Sequence, residues 1–103
     1  MSIVLNGRHV MSGGTVLLPC QVKSGFFPDE SSYHIVIDGT AVHRVIIGHV
    51  SSGTIVQKNG SRFVPGLVME SYEKGVARVF LPGELVSDTN PVTVPFGWLS
   101  QFL

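Results

Sequence analysis

Residues 32–47, SYHIVIDGTAVHRVII, set two apolar runs on either side of Asp38-Gly39. Such a pair between apolar runs is a strong hairpin signal, because a type I′ turn needs φ > 0 at both central residues. A two-residue turn there pairs Ile37 with Thr40, Val36 with Ala41, Ile35 with Val42 and His34 with His43. One face then carries Tyr33, Ile35, Ile37, Val42 and Ile46, and the other carries His34, Val36, Ala41, His43, Val45 and Ile47. A hairpin apolar on both faces belongs in the middle of a sheet, or in a barrel whose outer face meets something else.

Similar turn chemistry recurs outward from this hairpin. Asn6-Gly7 between Ile3-Val4-Leu5 and Arg8-His9-Val10 predicts a small opening hairpin, and Asn59-Gly60 between Thr54-Ile55-Val56-Gln57 and Arg62-Phe63-Val64 predicts another. Residues 67–72 and 76–81 are joined by Glu73-Lys74-Gly75, which fits a three-residue loop with glycine in the αL position. That register sets Glu70 opposite Arg78, a favourable cross-strand pair, and puts Leu67, Met69, Ala77, Val79 and Leu81 on one face. Pro19 cannot donate to a ladder, so residues 15–23 form an edge strand or bend at a bulge. Pro65-Gly66 reads as a redirection of the chain. Leu85-Val86 can pair briefly, and residues 92–96 make a last short strand. The tail, residues 98–103, is too short for an independent helix and docks as a single turn on the barrel mouth or on a neighbouring chain. No useful stretch has a helical period. The pattern predicts one all-β domain over residues 1–103: a small barrel of about seven or eight short antiparallel strands in meander order, with an added N-terminal hairpin.

Composition narrows the function. Apolar residues make up 44% of the 103 and charged residues 14%, so apolar side chains must reach the surface of so small a body. The expectation is that another copy of the chain covers them. Seven basic residues balance seven acidic ones, which leaves no electrostatic footprint for nucleic acid or an anionic membrane. The single cysteine, Cys20, excludes an internal disulfide and a cysteine-built zinc site, and reads as a small buried hydrophobe. MSIVLNGRHV lacks the charged and apolar regions of a secretory signal, and no apolar run approaches the ~20 residues of a membrane helix. A cytoplasmic protein is the resulting expectation.

From Gly75-Val76-Ala77-Arg78-Val79-Phe80 through Val92-Thr93-Val94-Pro95-Phe96-Gly97-Trp98-Leu99, the C-terminal quarter resembles the closing part of an SH3-like barrel. Such barrels run a strand, a polar loop, a valine-proline pair, a 3₁₀ turn and a final apolar residue. The resemblance implies the barrel alone. An acidic loop with paired tyrosines, which serves proline-peptide binding in signalling SH3 domains, is missing.

Three groups of residues are candidates for a site. In residues 24–31, SGFFPDES, Phe26 and Phe27 either cap the barrel end or contact a partner or a small apolar ligand, together with Trp98 and Phe102 of the tail. His34 and His43, cross-strand neighbours in the register above, could hold a metal with Asp29, Glu30 or His9 as a third ligand. Stacked histidines without metal are the simpler reading. Arg8, Lys58, Arg62 and Phe63 at two hairpin tips could contact nucleic acid, which the charge balance does not favour. No serine lies in a G-x-S-x-G elbow, and Asp29-Glu30, adjacent in an extended chain, point opposite ways. The expectation is a non-catalytic binding or assembly module working as a homo-oligomer, with no cofactor. A nucleic-acid-binding barrel and a metal-dependent enzyme are the alternatives.

Overall fold

In the computed structural model, residues 2–5, 8–11, 14–38, 43–72 and 76–101 are described. They form an all-β fold. β1 (Ser2–Leu5) and β2 (Arg8–Met11) make a separate hairpin in which Leu5 faces Arg8, the spacing of the two-residue turn expected at Asn6-Gly7. The other strands build two antiparallel sheets. One has four strands in the order β10 (Glu84–Leu85), β6 (His43–Ser51), β5 (Glu30–Asp38), β4 (Gln21–Ser24). The second runs β11 (Val92–Pro95), β9 (Val76–Phe80), β8 (Ser61–Tyr72), β3 (Thr15–Pro19), β12 (Ser100–Gln101), with β7 (Val56–Lys58) also on β8.

The expected closed barrel of about seven or eight strands is therefore corrected: twelve strands are present among the described residues, and their ladder forms separate sheets, not a ring. Meander order holds only locally, since β3 pairs with β8 and β10 returns to β6. The chain passes between the two large sheets at Cys20 and at residues 81–83, the corner device of packed sheets. Between the sheets lies one core. Tyr33, Ile35, Ile37, Ile46 and Val50 come from the four-stranded side, and Val16, Leu18, Val64, Val68, Ala77, Val79 and Val94 from the other.

The central hairpin keeps its faces and changes its register. Asp38 is level with His43, Ile35 with Ile46, and His34 with Ile47, so the two-residue turn at Asp38-Gly39 is absent. The connection falls in residues 39–42, outside the described residues. The slip is four positions, an even number, and side chains alternate faces with period two. Tyr33, Ile35, Ile37 and Ile46 thus face the core as expected. The new register also sets Tyr33 against Gly48, where the ring occupies the space a side chain would take, and its hydroxyl donates to the Pro82 carbonyl at 2.8 Å.

At Asn59-Gly60 the turn is the expected one, although the strand before it begins at Val56 and Thr54 belongs to a 3₁₀ turn over Ser52–Thr54. Both residues have positive φ, 52° and 79°, and Lys58 faces Ser61. Glu70 does face Arg78, yet Leu67 and Met69 are exposed and Val68 is buried in their stead. A bulge between Val68 and Glu70 inserts one residue and inverts the alternation below it. Pro65-Gly66 does not redirect the chain either; β8 runs through it. Pro65 lies between the last partner of β7 at Phe63 and the first partner of β9 at Leu67, so its missing donor is not required on that side. Gly66 is a packing residue, with Val79 and Leu18 where its Cβ would lie.

The tail departs from the expected single turn over residues 98–103: a 3₁₀ segment spans Phe96–Trp98, and Ser100–Gln101 pair with β3 as β12. Trp98 Nε1–H then donates to the Val36 carbonyl at 2.9 Å, and Leu99 enters the core. Cys20 is half-buried at the corner; burial pushes its thiol up to about 11, against the pull of Arg62. It stays protonated at neutral pH. Among the described residues no helix is long and apolar enough to cross a membrane.

Candidate functional site

The site is built on the outer face of the four-stranded sheet. Lys23 of β4 faces Ser32 of β5, Ser32 faces His49 of β6, and His49 faces Glu84 of β10. Directly opposed residues share a face, so these four side chains form one cross-strand row. With strands ~4.8 Å apart the row spans about 14 Å, a cation at one edge and a carboxylate at the other.

Over the row stands the loop that enters β5. Gly25 N–H donates to the Glu30 carbonyl at 2.9 Å, and Glu30 N–H to that of Phe27 at 3.0 Å. The Glu30 carboxylate turns back to accept from Phe26 N–H at 3.3 Å, and Ser52 N–H donates to the Asp29 carbonyl at 2.8 Å. Ser31 and Ser52 hydroxyls meet at 2.7 Å. The loop passes so close to Glu30 that a Cβ on Gly25 would lie 2.7 Å from its Cγ. Fastened in this way, the loop presents Phe26 at 88% and Phe27 at 69% exposure. They do not cap the end of the core. Phe26 instead leans over His49, ring centroids 5.9 Å apart and tilted by 31°.

Polar geometry beneath the rings is incomplete. His49 Nδ1 is buried without a hydrogen-bond partner; Glu30 Oε1 lies 3.5 Å away, within ion-pair reach but off the line of a hydrogen bond. His34 Nε2 meets the Ser32 hydroxyl at 3.2 Å. Partial burial lowers the His34 pKa below its ordinary 6.5, and the charges of Lys23 and His49 push the same way. The unfolded chain therefore takes this proton more readily than the folded one. The His34 contribution to stability is complete above pH 6.5 and is lost as pH falls through that value towards the lower folded one. Urea midpoints at pH 7.5 and 5.5 are expected to fall less in His34→Gln than in wild type; equal falls would contradict this account.

Two clefts flank the phenylalanines. One, of ≈ 510 Å³, is lined by Lys23, Arg62 and Glu30 with Ser31, Phe26 and Phe27. The other, of ≈ 330 Å³, is lined by Glu30, His49 and Glu84 with Phe26, Phe27 and Val86. Among the described residues neither Lys23 nor Arg62 has an acidic partner. Glu30 and both phenylalanines line the two clefts in common, so the first is mixed in charge and the second is acidic.

The histidine pair read from the sequence is not assembled. His34 faces Ile47, four residues from the expected position, and the His43 side chain lies outside those described. The histidine brought near His34 is His49, on the diagonal, because β6 continues to Ser51. No group of three metal-ligating side chains converges among the described residues. Lys58 and Phe63 share one face of the β7–β8 hairpin and Arg62 takes the other, while the Arg8 side chain lies outside those described. Trp98 lines a separate groove with Cys20, His34 and Val36, away from the phenylalanines, and Phe102 lies outside the described residues. Ser32, His49 and Glu84 were not singled out as a site by sequence; their meeting depends on the β6–β10 pairing, for which a two-residue strand gives little signal. No family model matches this chain, and neither a curated protein nor a solved structure does.

Proposed function

We propose that the protein is a non-catalytic binding and assembly module that works as a homo-oligomer in the cytoplasm. The observation that carries this reading is the pair of exposed phenylalanines on a loop fastened by backbone and side-chain hydrogen bonds. Two aromatic rings held in water forfeit the ~25 cal/mol per Å² that burial would return. Holding them rigid removes much of the ordering entropy of association. Exposed aromatics of this kind are typical anchors of interfaces. Balanced charge adds to the reading, since nothing electrostatic keeps copies apart. Nucleic-acid binding gains no support, because Lys58 and Arg62 take opposite faces of their hairpin.

The test is molar mass by light scattering for wild type beside Phe26→Ser/Phe27→Ser. Both residues lie outside the core, so the variant is expected to keep its circular dichroism and melting temperature while its dissociation constant rises roughly 30-fold or more. An unchanged mass at every concentration would remove the loop from the interface.

A further inference from the structure

We infer that this surface is self-complementary: it receives a second copy of the chain across a two-fold axis that sets Lys23 of one protomer beside the partner's Glu84. The inference rests on the homo-oligomer reading and specifies its interface. An isologous dimer requires each patch to match itself after a half-turn, so a basic feature on one side of the axis must be balanced by an acidic one on the other. The row Lys23–Ser32–His49–Glu84 meets that requirement. A half-turn about its midpoint, between Ser32 and His49, exchanges its ends. Phe26 stands over His49, next to the same midpoint, so rings from both copies meet near the axis.

Apolar contact at the centre with opposite charges at the rim is the usual anatomy of an association surface. Rim charges act chiefly on partner choice and register, since like charges set face to face are disfavoured. A two-fold axis running along the row, instead of across it through the midpoint, would set Lys23 on the partner's Lys23 and Glu84 on the partner's Glu84. The charge arrangement therefore selects the two-fold that runs across the row over the one that runs along it.

Charge exchange tests this directly. Lys23→Glu and Glu84→Lys both change exposed residues and leave the core untouched. Each variant alone is expected to dissociate at least tenfold more readily than wild type in sedimentation at low salt, with the difference shrinking as salt screens the repulsion. An equimolar mixture of the two is expected to recover wild-type association, because each basic end then meets an acidic one. The single chain carrying both changes is expected to recover it as well. If wild type associates and neither variant weakens it, the surface is not the interface, while the homo-oligomer reading stands. If wild type is monomeric, both fall. If the variants weaken association but neither the mixture nor the doubly changed chain restores it, the two-fold arrangement is wrong.

Discussion

Gly48→Val is expected to lower stability by roughly 2–4 kcal/mol and the melting temperature by about 10–25 °C. A Cβ at this position would lie 2.5 Å from Tyr33 Cε2 and nearer still to Cζ and the hydroxyl oxygen. Tyr33 cannot yield cheaply, since it is fully buried and donates to the Pro82 carbonyl. Moving the ring forfeits about 1 kcal/mol for that bond, and overpacking a core costs about 1–3 kcal/mol. Moving the backbone instead would part β5 from β6, the ladder that sets Ser32 beside His49. Calorimetry or urea unfolding reads the effect. A loss under about 1 kcal/mol would mean that Tyr33 does not lie across Gly48, and the observed register of the central hairpin would be wrong with it.

Gly66→Val tests the opposite sheet, with an expected loss of about 2–3 kcal/mol. Its Cβ would lie 2.5 Å from Val79 Cγ1 and 2.8 Å from Leu18 Cδ1, two side chains with no exposure. Val79→Ala alone is also destabilising, by the cavity it leaves. The pair Gly66→Val/Val79→Ala is expected to cost less than the sum of the two, since one change fills what the other empties. Strict additivity in urea unfolding would show that Gly66 is not packed on Val79, and would restore the reading of Pro65-Gly66 as a break.

These two glycines mark the boundary between what the sequence displays and what only the assembled fold reveals. Turn chemistry is local. Asn59-Gly60 therefore gives type and register correctly, since φ > 0 at both positions is a property of the dipeptide. Period-two alternation is local too, which is why the core face of the central hairpin survives a wrong register. Asp38-Gly39 misleads because a second criterion outweighs its turn preference. Pairing Tyr33 with Gly48 gives the ring its space and Pro82 its donor, and nothing within residues 32–47 reports either. The bulge after Val68 is equally silent, since one inserted residue leaves composition unchanged while exchanging Leu67 and Met69 for Val68 in the core.

The candidate site follows the same division. Phe26 and Phe27 attract notice in the sequence because two aromatics in a Gly/Pro/Asp loop must either be covered or be used. Their exposure settles against the capping alternative, and the hydrogen bonds that fasten the loop are the reason they stay in water. Ser32, His49 and Glu84 carry no comparable signal. They become a row only when β10 adds to β6, a contact across more than thirty positions of sequence that involves two residues of strand.

The central claim is that the chain associates with itself through the Phe26–Phe27 surface, and molar mass by light scattering at ~0.1 mM is its most direct test. Wild type is expected to run as a dimer at that concentration, and Phe26→Ser/Phe27→Ser as a folded monomer beside it. A wild type that runs as a clean monomer at ~0.1 mM, with the same mass as the double variant, would contradict the claim.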